Sequence, residues 1–190
     1  MEKLFIKNMV CNRCILVVQQ ELNKLKLQSS HISLGEIELA KPASPKQLED
    51  LGKSLQLLGF ELLDSQKQKQ IEKVKTLLIK KVQTGDIEEH FSIIDFLSKH
   101  FQKKYSVISR LFSEVEGITI EQFFILQKIE KVKELLVYAE YNLNEISYKL
   151  GYSSVAHLSA QFKKITGLTT SHFKMIGFSQ RKSLDKVSNK

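Results

Sequence analysis

The stretch NLNEISYKLGYSSVAHLSAQFKKITGLTTSHFK, residues 142–174, decides how the chain is read. Leu143, Ile146 and Leu150 recur at three- and four-residue steps and mark a short helix, which Gly151 stops. After a turn, Ser153 is placed to cap a second helix, in which Val155, Leu158, Phe162 and Ile165 form the apolar face. Gly167 then supplies a left-handed terminus. Two short helices joined by a tight turn containing glycine make a helix-turn-helix. The second of them would present Val155, Ala156, His157 and Ala160 near its start, with Lys163 and Lys164 further along.

A looser copy lies upstream. Asp95-Phe96-Leu97 leads into Tyr105-Ser106, then Ile108-Ser109-Arg110-Leu111-Phe112, and then Gly117-Ile118-Thr119. The step from Phe112 to Gly117 repeats that from Phe162 to Gly167, both copies continue Gly-x-Thr, and about 50 residues separate them. The amphipathic segment Ile120 to Tyr138 would be the helix joining the two units. The first copy departs from the second at its turn, where it has Phe101-Gln102-Lys103-Lys104.

Leu143-x-x-Ile146-x-x-x-Leu150-Gly151-Tyr152-Ser153-Ser154-x-x-x-Leu158-Ser159-x-x-Phe162-Lys163-Lys164-x-x-Gly167-x-Thr169-x-x-x-Phe173 resembles the signature of AraC-type transcription regulators. The resemblance implies two helix-turn-helix units on one connecting helix and duplex DNA as the partner. It places Tyr105, Ser106, Ser109 and Arg110 on the first recognition helix and Val155, Ala156 and His157 on the second. Arg110 can fork onto guanine O6 and N7, a contact worth about 1–3 kcal/mol of discrimination. It can equally clamp a phosphate or pair with Glu114 four residues on. Val155 and Ala156 suit shape or a thymine methyl, His157 a base edge, a phosphate or solvent, and Lys163 and Lys164 phosphates. RNA polymerase is then the expected protein partner, together with a homodimer.

Charge agrees with that partner. Residues 1–63 carry eight Lys/Arg against seven Asp/Glu, net +1, whereas residues 64–190 carry 21 against 14, net +7. A basic domain attracts a polyanion, since neutralised phosphates release counterions. No apolar run approaches the roughly 20 residues that cross a bilayer, so no membrane association is expected and the location expected is cytoplasmic.

Upstream of the helical part the periods change. Leu4 to Lys7 reads as a strand, Ile15, Val18, Leu22 and Leu25 as one helical face, and His31 to Leu34 and Glu36 to Leu39 as strands. Pro45, capped by Ser44, opens a helix carrying Leu48, Leu51, Leu55 and Leu58, ended by Gly59, and Phe60 to Leu63 is a final strand. Strand, helix, strand, strand, helix, strand is the order of the ferredoxin-like split unit. The chain is thus expected to be α+β over 1–63, with a linker and first helix over 64–82. An all-α double helix-turn-helix domain over 83–178 and a polar basic tail over 179–190 follow.

Met9-Val10-Cys11-Asn12-Arg13-Cys14 sits at the first strand-to-helix turn and resembles the M-x-C-x-x-C loop of heavy-metal-associated domains, with Asn8 where a glycine is usual. Two thiolates three apart at a helix start can converge on one soft ion. Cu(I) accepts two, whereas Zn(II) wants further ligands, and a redox dithiol or two ordinary cysteines remain open. His31 is a further candidate ligand. The expected function is a sequence-specific DNA-binding regulator responsive to a soft metal. The alternative is a metal chaperone that docks through its helical part. No Ser/His/Asp set and no phosphate loop is present, so no enzymatic activity is expected.

Overall fold

The computed structural model describes residues 2–63 and 66–176. It divides into two compact units, Met1–Thr76 and Leu77–Lys190. The tail expected over 179–190 and the last two residues of the 83–178 domain lie outside the described residues.

In the first unit the elements run β1 (Glu2–Lys7), α1 (Asn12–Lys24), β2 (Ser29–Ser33), β3 (Glu36–Leu39), α2 (Pro45–Leu57) and β4 (Glu61–Leu62). The four strands form one antiparallel sheet in the order β2-β3-β1-β4. Its register sets Leu4 opposite Ile37, Ile6 opposite Leu62 and Ile32 opposite Ile37. A strand turns alternate side chains to one face, and Leu4, Ile6, Ile37 and Leu39 are buried against Val18 and Leu22 of α1 and Leu51 and Leu55 of α2. Helix α2 starts where expected, through a capping box. The Gln47 N–H donates to Ser44 Oγ and the Ser44 N–H to Gln47 Oε1. Leu58, expected on the apolar face, is half exposed, because the helix ends at Leu57. The last strand is only two residues long, shorter than Phe60 to Leu63.

Helix α3 (Gln66–Gln83) includes the polar Gln/Lys run as its exposed start, and the unit boundary falls inside it. Its first half belongs with the sheet. The Asn8 N–H donates to Glu72 Oε1 at 3.0 Å, and a methyl group on Gly35 would lie 3.2 Å from Thr76 Oγ1.

The second unit continues with α4 (Ile93–Phe101), α5 (Tyr105–Glu116), α6 (Ile120–Tyr138), α7 (Leu143–Lys149), α8 (Val155–Thr166) and α9 (Thr170–Ile176). Among the described residues its extended pairing is limited to an isolated parallel bridge, Ile87 with Leu150. Helix α6 packs against α5, α7, α8 and α9 and is buried over most of its circumference, Phe123, Ile129, Val132 and Leu136 among the contributors. A central helix needs no polar face.

Candidate nucleic-acid interface

Each of the two helix pairs, α4–α5 and α7–α8, ends in the same way. The chain leaves α5 through Gly117 (φ +71) and α8 through Gly167 (φ +76), a conformation that side chains resist and glycine does not. Two residues on, Thr119 Oγ1 accepts the Gln122 N–H and Thr169 Oγ1 accepts the His172 N–H, which starts α6 and α9. The Gly-x-Thr read twice in the sequence is therefore one device, a helix stop followed by a helix start. Below each stop an aromatic pair locks the helices together. Phe112 meets Phe123 at 5.6 Å and Phe162 meets Phe173 at 5.5 Å, both edge to face and all four rings fully buried.

The turns that enter the two helices differ. In the second unit Gly151 (φ +63) sits so close to the preceding backbone that a methyl group there would lie 2.6 Å from the Glu88 carbonyl oxygen. In the first, Gln102 (φ +50) takes the left-handed position. A side chain is tolerated there, at some cost. The serine that caps α8 is Ser154, not Ser153 as the sequence suggests. Ser154 Oγ accepts the His157 N–H at 3.1 Å, while Ser153 Oγ instead lies 3.1 Å from His157 Nδ1.

These constraints leave α5 and α8 with matching exposed faces. Tyr105 and Val155 are half-buried, Ser106 and Ala156 exposed, Ile108 and Leu158 buried, Ser109 and Ser159 half-buried, and Arg110 and Ala160 exposed. The repeat step of 50 adds a residue that the reading of the first copy passed over. Val107, 47% exposed, occupies the place of His157. The offset of Phe112 from Phe162 already contained that signal.

The candidate residues are not equally available. The Tyr105 hydroxyl donates to Glu121 of α6, and burial pushes its phenol well above the ordinary range, with the Glu121 carboxylate acting in the same direction. Tyr105 thus braces α5 on the connecting helix, and Ser109 neighbours the same hydroxyl. The Arg110 side chain is 78% exposed, its Nε 3.9 Å from Glu114 Oε1. An exposed pair at that distance holds the guanidinium weakly. His157 stands edge-on to Tyr152 at 5.4 Å, with Nδ1 near Ser153 and Nε2 as the ring's other polar atom. Lys163 and Lys164 are exposed on the last turn of α8, where the first copy has Ser113 and Glu114.

Tyr152 anchors this second face. Its hydroxyl donates to Gln161 Oε1 at 2.8 Å, and the Lys128 ammonium of α6 lies 3.7 Å from its ring centre. Burial pushes Lys128 down to about 8, while the ring favours the charged form.

In the first unit, Cys11 is the N-cap of α1 and Cys14 lies in its first turn, their sulfurs 3.5 Å apart and both partly exposed. Among the described residues no group of three or more His, Cys, Asp and Glu side chains forms, so His31 does not join them.

Residues 97–175 match a family described as helix-turn-helix domain. Over 101 residues, 52% of the chain, the sequence is 33% identical to the F1 operon positive regulatory protein of Yersinia pestis, of which this covers 33%. Over 143 residues, 75% of the chain, it is 24% identical to the probable transcriptional regulator LumQ of Photobacterium leiognathi, of which this covers 57%. The chain thus spans about a third and somewhat over half of these relatives. Among solved structures, the C-terminal domain of AraT, a response regulator from Geobacillus stearothermophilus, has a TM-score of 0.50 at 18% identity, covering 62% of this chain and 94% of that one. The helical unit thus contains a stretch similar to helix-turn-helix domains and shares the fold of that C-terminal domain of AraT. No helix among the described residues is long and apolar enough to cross a membrane.

Proposed function

We propose that this chain is a sequence-specific regulator of transcription of the AraC class, binding double-stranded DNA through α5 and α8. One observation carries the reading. Two helices 50 residues apart repeat the same order of buried and exposed positions, 105–112 and 155–162, on either side of one buried helix, with Arg110 exposed on the first and Lys163 and Lys164 on the second. Simple packing requires the buried positions to match, whereas a repeated exposed face suits two successive encounters with one regular polymer. Ser106, Val107 and Arg110 of α5 and Val155, Ala156 and His157 of α8 face bases in this reading, and Lys163 and Lys164 face phosphates. Tyr105 and Ser109 support the first helix. RNA polymerase, and a second copy on a paired site, are the protein partners such a regulator would use.

Footprinting of the full chain on fragments of its own genome at low salt tests the proposal. A protected site spanning two adjacent major-groove segments is expected, with binding that falls steeply as salt rises. Absence of any protected site at low salt would sink it.

The finer reading of the amino-terminal unit is a ferredoxin-like, heavy-metal-associated-like domain that makes DNA binding respond to a soft ion. The strand order β2-β3-β1-β4 and the position of the Cys11–Cys14 pair at the first strand-to-helix turn favour it. Two thiolates suit Cu(I), which accepts low coordination. Zn(II) would need ligands from elsewhere. An ion acts on DNA affinity only through unequal binding to two states of the protein, so copper must change the footprint if this reading holds.

A further inference from the structure

We propose that Cys11 and Cys14 form a thiol–disulfide couple, oxidised to an intramolecular bridge by a low-molecular-weight disulfide of the glutathione type. The sulfurs are 3.5 Å apart, and a disulfide is about 2.05 Å long, so closure asks for a small side-chain rotation. The backbone spacing is already fixed, because the Cys14 N–H donates to the Cys11 carbonyl at 3.0 Å and both residues are anchored at the start of α1.

The two positions are unequal. Cys14 packs against the buried cluster of the sheet and helices, whereas Cys11 precedes the helix with extended backbone and makes no side-chain capping bond. Asn12 and Arg13 beside it are exposed, and the Arg13 charge favours the approach of a disulfide carrying carboxylates. Attack therefore falls to Cys11. Its thiolate displaces one thiolate from the small disulfide and leaves a mixed disulfide on Cys11. The Cys14 thiol, losing its proton, then attacks the Cys11 sulfur and releases the second small thiolate. Two protein thiols are oxidised by two electrons, and one small disulfide is reduced to two thiols. The bridge also removes both donors proposed for a soft ion. This inference does not depend on DNA binding.

Intact-mass analysis after acid quench and maleimide labelling tests it. The full chain, in chelator-treated buffer, is equilibrated with graded ratios of reduced to oxidised glutathione. Wild type should pass from two labelled thiols to none without a lasting glutathione adduct. Cys14→Ser should accumulate the adduct at Cys11, and Cys11→Ser should react several-fold more slowly. Wild type that keeps both thiols throughout, that ends as glutathione adducts or as a disulfide-linked dimer, or single variants that react at equal rates, would each overturn the proposal.

Discussion

Arg110 and Lys163 show how exposure and helix position separate two kinds of contact. Arg110 lies on the second turn of α5, held among the described residues only by a long, exposed pairing with Glu114. It is free to fork onto one base pair. Arg110→Ala should therefore relax preference at a single operator position, while Lys163→Ala, on the last turn of α8, should weaken binding to all sequences alike and flatten the salt dependence by about one unit. Competition binding with a panel of single-base operator variants checks both. Equal, sequence-blind losses would make Arg110 a phosphate contact. Lys128 offers a second test, through protons. In the unfolded chain it titrates near 10.5, but burial lowers it to about 8, so between those values the unfolded chain holds a proton that the folded one lacks. Stability then rises with pH across this window, and the burial cost is fully present below it. Relative to Lys128→Met, wild type should gain roughly 1–3 kcal/mol between about pH 7.5 and 9.5 in denaturant unfolding, less to the extent that the Tyr152 ring holds the charge. A flat difference would show that Lys128 reaches solvent.

Among the elements, the turns tell most about what a sequence can disclose. The second helix-turn-helix was legible from Gly151 and Gly167 because glycine marks left-handed backbone, and both positions have φ above +60. The first was harder, since Gln102 adopts the same region with a side chain that carries no such mark. The sequence points to Ser153 as the cap of α8, one residue early, because Ser153 and Ser154 are equally good caps and only geometry shows which hydroxyl meets the His157 N–H. Ile165 continues the apolar spacing of α8 but is 37% exposed, for the periodic pattern does not show where packing partners end. The second role of Tyr105, bracing α5, is invisible in the sequence because its acceptor, Glu121, lies 16 residues away on another helix. The contrast between the turns is itself testable. Gly151→Ala would combine a left-handed alanine with a 2.6 Å approach to the Glu88 carbonyl, and should cost about 2–4 kcal/mol. Gln102→Gly should cost nothing or stabilise slightly. Denaturant midpoints of the two variants decide it, and equal effects would mean that the Glu88 backbone yields.

For the whole molecule, the informative element is α3, which the sequence suggested as a linker and first helix and which the unit boundary divides between Thr76 and Leu77. Composition shifts after Leu63, but contacts shift only after Thr76, because a polar helical surface looks the same whether it packs on one side or lies in a loop. A fragment starting at residue 77 would keep seven residues of this helix, too few to hold a helix by themselves, whereas one starting at 66 keeps all 18. The fragment 66–176 should therefore melt several degrees above 77–176 in circular dichroism, and identical melting would show that the first half of α3 adds nothing to the second unit. The same helix sets a timetable during synthesis, when the chain emerges from its amino terminus. The first unit gains its last contacts only when Glu72 and Thr76 have emerged beside Asn8 and Gly35. Leu78, Ile79 and Val82, buried in the finished protein, emerge at once behind them, and Lys149, whose carbonyl accepts the Ile87 N–H, follows only after more than 60 further residues. For that interval a nascent chain carries its amino-terminal unit ahead of Leu78, Ile79 and Val82 while most of the unit to which those three belong has yet to be made.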